Sequence, residues 1–62
     1  MYEKYAKIRD ELGYTDYRVS KETGISTSTL SEWKAGITKP KVDKLILIAD
    51  LFGVTVDDLA RE

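Results

Sequence analysis

The stretch DYRVSKETGISTSTLSEW, from Asp16 to Trp33, decides the fold. It reads as two short helical segments, Asp16 to Thr23 and Thr27 to Ala35, on either side of Gly24-Ile25-Ser26. Thr15 can cap the first segment with its hydroxyl, and Asp16 suits the positive end of the helix dipole. Ser26 is the cap of the second, in which Leu30 and Trp33 sit three apart and most other positions are small or polar. So short a connection leaves no slack loop for antiparallel helices, and the two must cross steeply. Such a corner needs a small residue where the helices touch, a glycine free to take positive φ, and apolar inner faces. Ser20, Gly24, Val19, Ile25, Leu30 and Trp33 supply these. The second helix then stands out from the body, with Thr27, Ser28, Ser31 and Glu32 on the side that Leu30 and Trp33 leave open.

Outside this corner, Gly13, Gly36 and Gly53 each follow a segment with helical apolar spacing, the expected left-handed stop of a helix. Tyr5, Ile8 and Leu12 form the stripe of a first helix, Tyr2 to Leu12, with Glu3, Lys7 and Asp10 on its wet face. Pro40 lies in an extended loop, Gly36 to Lys41. The segment Val42 to Phe52 follows, with Leu45, Ile48, Ala49 and Phe52 on one face and Leu47 and Leu51 widening it. Thr55 and Asp58 resemble a capping box that opens a last turn through Leu59. The expected architecture is all-α, five helices in one domain spanning residues 1–62.

Composition narrows the functions. Sixty-two residues, 42% of them hydrophobic, suffice for one compact core, and zero Cys and zero His exclude disulfides and ordinary zinc sites. The commonest general base and the thiolate nucleophile are missing too, and so small a domain can hardly enclose a substrate pocket. No catalytic residue, cofactor, metal or small-molecule ligand is expected; Asp57-Asp58 offers two adjacent carboxylates pointing different ways, which helix capping explains better. No apolar run approaches the roughly 18 residues of a membrane span, and Met1-Tyr2-Glu3-Lys4 lacks the apolar core of a signal peptide. These features predict a cytoplasmic protein.

The ordered pattern resembles the helix-turn-helix domain of the phage repressor and Cro type, the XRE family. It runs from Ile8-Arg9 through Gly13-Tyr14-Thr15 to Gly24-Ile25-Ser26 and Leu30-Ser31-Glu32-Trp33-Lys34-Ala35-Gly36. It continues through Lys39-Pro40 to Leu45-Ile46-Leu47-Ile48-Ala49 and Phe52-Gly53-Val54-Thr55-Val56-Asp57-Asp58-Leu59. The resemblance implies a compact five-helix bundle of the lambda-repressor-like DNA-binding type. Its third helix enters the major groove and its base-reading positions fall on Thr27, Ser28 and Glu32. Hydroxyls can bond either kind of base edge, a Thr methyl can pack on the thymine methyl, and Glu can accept from cytosine N4. The plainer reading is that Thr27 and Ser28 serve the first helical turn and Glu32 is merely solvated. Phosphate contacts are expected from Thr29, Ser31, Lys34, Thr38, Lys39 and Lys41, against the alternative that the lysines only solubilise a surface.

Two positions depart from the family pattern. Asp16 stands where Gln usually contacts the sugar-phosphate backbone, and a carboxylate there would repel phosphate. Lys34 stands where Glu commonly pairs with the Arg matching Arg9. Arg9 is then left to pair with Glu32, or Lys34 turns to phosphate.

A net charge of -1 looks unfavourable for a DNA partner until it is read by segment. Residues 1–14 carry three positive and three negative groups, residues 15–44 six and four, and residues 45–62 one and four. The reading side is modestly basic and the far end acidic. A surplus of two charges is weak for a lone copy, so affinity should need a dimer or a second binding region. Together with the resemblance, this leads to the expectation of a sequence-specific transcriptional regulator of the repressor kind, a homodimer on a two-fold site of double-stranded DNA. Val54, Val56 and Leu59 are the candidate interface, with Leu47 or Leu51 if exposed; the alternative is that they complete a small core. The rival function is a protein-interaction or antitoxin-type helix-turn-helix module with little or no DNA binding, which Asp16, Glu32 and the acidic tail favour.

Overall fold

The computed structural model describes residues 1–60, and among them the secondary structure is entirely helical. Helix α1 spans Tyr2–Glu11, α2 Asp16–Thr23, α3 Thr27–Ala35, α4 Val42–Phe52 and α5 Val56–Ala60. The capping residues set these boundaries. Thr15 Oγ1 accepts from the Arg18 amide at 3.1 Å and Ser26 Oγ from the Thr29 amide at 3.1 Å. Thr55 and Asp58 form the reciprocal capping box, each side chain accepting from the other's backbone N–H at 3.1 Å.

The corner between α2 and α3 is tied at three points. Gly24 adopts φ +80°, and its N–H closes on the Ser20 carbonyl at 2.9 Å. Thr23 Oγ1 donates to the Val19 carbonyl at 2.7 Å and accepts from the Ile25 amide at 3.2 Å. Ile25 thereby turns inward, where it is 2% exposed. These bonds fix the end of α2 and the course of the connection, and the buried Ile25 side chain joins the core that α2 and α3 share.

Tyr5, Val19, Ile25, Leu30, Trp33, Leu45, Ile48, Ala49, Phe52 and Leu59 form a single core. Helix α4 lies at its centre: α5 and α2 both pack on it, α5 also meets α1, and α2 meets α3. Helix α3 therefore reaches the body through α2 and through Leu30 and Trp33, which leaves its other side open to solvent.

Two apolar expectations change. Leu12 is half exposed, because α1 ends at Glu11 and Leu12 falls in the turn, with Tyr14 tilted against Phe52 at 5.4 Å between ring centroids. Leu59, expected in an interface patch, is wholly buried in the core, where a partner chain cannot reach it. Val54 and Val56 are half-buried against that core, Leu51 likewise, and Leu47 is 41% exposed. No helix of the described residues is long and apolar enough to cross a membrane.

At Gly24 a Cβ would meet no atom within 4 Å, so the cost of a substitution there comes from the positive φ. Gly24→Ala should lower the unfolding free energy in urea titration by about 1–2 kcal/mol, and Gly24→Asn by less, since Asn tolerates the left-handed region. Equal stability of the alanine variant and the parent would contradict this account of the corner.

Candidate nucleic-acid interface

The outward face of α3 carries Thr27, Ser28 and Ser31, all exposed, while Leu30 and Trp33 are 0% and 5% exposed on the inward face. Thr29 is half-buried and serves the cap, its hydroxyl 2.9 Å from Ser26 Oγ. Glu32 is half-buried at the edge of the outward face, where its Oε1 accepts from the Thr38 hydroxyl at 3.3 Å. Thr38 has a single hydroxyl proton, so in this arrangement it serves Glu32 and is not available to donate to a phosphate.

The loop after α3 folds back on the helix. Gly36 takes a left-handed conformation, its N–H bonds the Trp33 carbonyl at 3.2 Å, and the Ile37 N–H bonds the Glu32 carbonyl at 2.9 Å. Lys34, Gly36, Thr38, Lys39 and Pro40 consequently line one open groove beside Trp33, faced by Met1, Tyr2 and Glu3 of the chain start. Lys34, Lys39 and Lys41 are all exposed, but Lys41 lies outside that groove as the first residue before α4. A second open groove, lined by Met1, Lys4, Lys7, Ile8, Glu11, Val54 and Asp58 among others, includes none of the residues expected to meet DNA.

Asp16 has a different role from the one its position suggests. Its Oδ1 accepts from the Tyr5 hydroxyl at 2.7 Å and from Arg9 Nη1 at 2.8 Å. Arg9 also donates to the Tyr2 hydroxyl at 3.2 Å and to Asp10, and its guanidinium sits 5.6 Å from the centre of the Tyr5 ring. The expected pairing of Arg9 with Glu32 is therefore corrected: its partners are Asp16 and Asp10. A charge that would face phosphate unopposed is instead held by a guanidinium whose side chain is only 17% exposed. Lys34 is left free of any acidic neighbour within ion-pair distance on α1, and it points to solvent.

This cluster was not visible in the residue spacing, because Tyr5, Arg9 and Asp16 meet only once the turn at Gly13 brings the start of α2 back against α1. The Tyr14 N–H fixes that turn by bonding the Arg9 carbonyl at 2.9 Å. The outer face of α2 also escaped the sequence reading. There Lys21 Nζ lies 5.6 Å from the ring centre of exposed Tyr17, and Arg18 pairs with Glu22 at 3.6 Å.

A family model described as helix-turn-helix matches residues 6–59, and the chain belongs to this family, the Cro/C1 or XRE type, whose members are DNA-binding regulators. Comparison with curated proteins and with solved structures gives no match.

Burial, followed by the bond to the Asp16 carboxylate, pushes the Tyr5 phenol well above the ordinary tyrosine value. For Arg9, burial opposes the charge, but the bonds to Asp16, Tyr2 and Asp10 outweigh it and strengthen the guanidinium's hold on its proton. The folded state thus favours neutral Tyr5, a contribution fully present below pH 10 and lost as the pH rises above it. Tyrosinate absorbance at 295 nm should fall short of the four tyrosines of the chain until the helical signal is lost. Asp16→Ala should destabilise the fold by about 1–3 kcal/mol, since it strands the buried Tyr5 hydroxyl and removes one acceptor from half-buried Arg9. A complete tyrosine titration in the folded state, or an unchanged midpoint for Asp16→Ala, would contradict the network.

Proposed function

We propose that this chain is a transcriptional regulator that binds a specific double-stranded DNA sequence, with α3 lying in the major groove. The observation that carries this reading is the polarity of α3: Leu30 and Trp33 anchor one side, and Thr27, Ser28 and Ser31 offer hydroxyls on the other. A helix is about 10–12 Å across with its side chains and the major groove is about 12 Å wide, so an α3 that stands off the body can enter it. Thr27, Ser28 and Glu32 read bases. Ser31, Lys34, Lys39 and Lys41 contact phosphates, with Thr29 at the first turn, and the backbone N–H groups near Gly36 support them.

The chain acts as a repressor in the cytoplasm, and two copies bind a two-fold operator with half-sites about 34 Å apart. The modest positive surplus on residues 15–44 supports pairing, because each phosphate neutralised adds to affinity and one copy neutralises few. Leu47, Val54 and Val56 are the apolar residues offered to the second copy, Leu59 being enclosed. The rival reading, a protein-interaction module, drew on Asp16, Glu32 and the acidic tail. The pairing of Asp16 with Arg9 removes the first of these supports.

Selection from a random duplex pool at two salt concentrations tests the proposal. A two-fold consensus is expected, with an affinity that falls steeply with salt. Lys39→Ala should weaken binding by a similar factor on every sequence and reduce the salt slope by about 1. Enrichment of no sequence at low salt would overturn the reading.

A further inference from the structure

Glu32 is the one acidic side chain of α3, and an ionised carboxylate only accepts, so in the major groove it favours a base edge that donates. The loop after α3 grips this residue twice. The Ile37 N–H bonds its backbone carbonyl at 2.9 Å and the Thr38 hydroxyl bonds Oε1 at 3.3 Å. With Gly36 left-handed and its N–H returned to Trp33, Thr38 is carried on a closed turn, so the second bond fixes the carboxylate relative to the helix.

We infer that Thr38 is a specificity-positioning residue: by holding Oε1 of Glu32 it leaves Oε2 as one aimed acceptor, which takes an N4 proton of cytosine and rejects the other three bases. Guanine presents O6 and N7 in the major groove and thymine presents O4 and a methyl group, none of which donates. Adenine does present an amino group, but beside N7, whose lone pair repels a carboxylate that cannot swing aside. Cytosine N4 is flanked by C5–H, which carries no such penalty. The Thr38 hydroxyl proton is spent on Glu32, so this residue acts on a base through its neighbour and not on a phosphate.

The inference rests on the DNA-binding reading above, and the experiment separates the two. Fluorescence-anisotropy titrations would use the selected operator and its three variants at each half-site position, with the parent, Thr38→Ser, Thr38→Val and Glu32→Gln. The parent should prefer cytosine over each other base by about ten-fold at one position. Thr38→Ser should keep that preference, and Thr38→Val should bring it below about three-fold while binding to the other three bases and the circular-dichroism melt stay unchanged. Glu32→Gln should move the preference to adenine, because an amide both accepts from N6 and donates to N7. An unaltered preference in Thr38→Val, or an equal loss on all four bases, overturns the inference and leaves the DNA-binding reading standing. A parent that selects no sequence overturns both.

Discussion

The carboxylate of Asp16 receives the Tyr5 hydroxyl at 2.7 Å and Arg9 Nη1 at 2.8 Å, and this shared acceptor holds the first residue of α2 against the middle of α1. Helix α3 makes its main connection to the body through α2, so the direction in which α3 projects follows from the packing of α2 on α4, from this bond at the start of α2, from the corner at Gly24 and from the burial of Leu30 and Trp33. Breaking the pair from one side leaves a poorly solvated charge, which makes such a contact directional and hard to relocate. The same contact settles the electrostatics. The negative charge nearest the start of the helix-turn-helix unit is neutralised from within, and Lys34 is left facing solvent beside the loop lysine Lys39.

Much of the fold was legible in the sequence because it depends on local chemistry. Thr15, Ser26 and Thr55 announce helix starts through hydroxyl caps, and Gly24 and Gly36 announce stops through a backbone conformation that other residues resist. The spacing of Leu45, Ile48, Ala49 and Phe52 gives the buried face of α4 for the same reason. Apolar residues at the margins were harder. Leu12 continues the α1 pattern and is exposed, whereas Leu59 lies near the end of the described chain and is fully enclosed. In a domain this small, burial at such positions depends on which helix covers them, and periodicity does not contain that information.

The candidate face was legible in outline and not in wiring. Thr27, Ser28 and Ser31 stand out as the polar side of a short helix whose other side is Leu30 and Trp33. The partner of Arg9 and the partner of Glu32 depend on two turns, at Gly13 and Gly36, that bring together residues seven and six positions apart across breaks in the helices. Helical periodicity cannot pair residues through a turn. Backbone bonds within the turns, among them Tyr14 to Arg9 and Ile37 to Glu32, fix those meetings.

Charge and size act together in this account. A chain with a net charge of -1 gains little from nonspecific attraction, which is why the proposed binding mode relies on a well-held α3 and a second copy. The most direct test is the detection of intermolecular nuclear Overhauser contacts between isotope-labelled protein and its selected duplex. Contacts from Thr27, Ser28 and Glu32 side chains to major-groove protons such as cytosine H5 and the thymine methyl are predicted. Contacts confined to α1 and α5, or to minor-groove sugar protons, would contradict the placement of α3 on which the account stands.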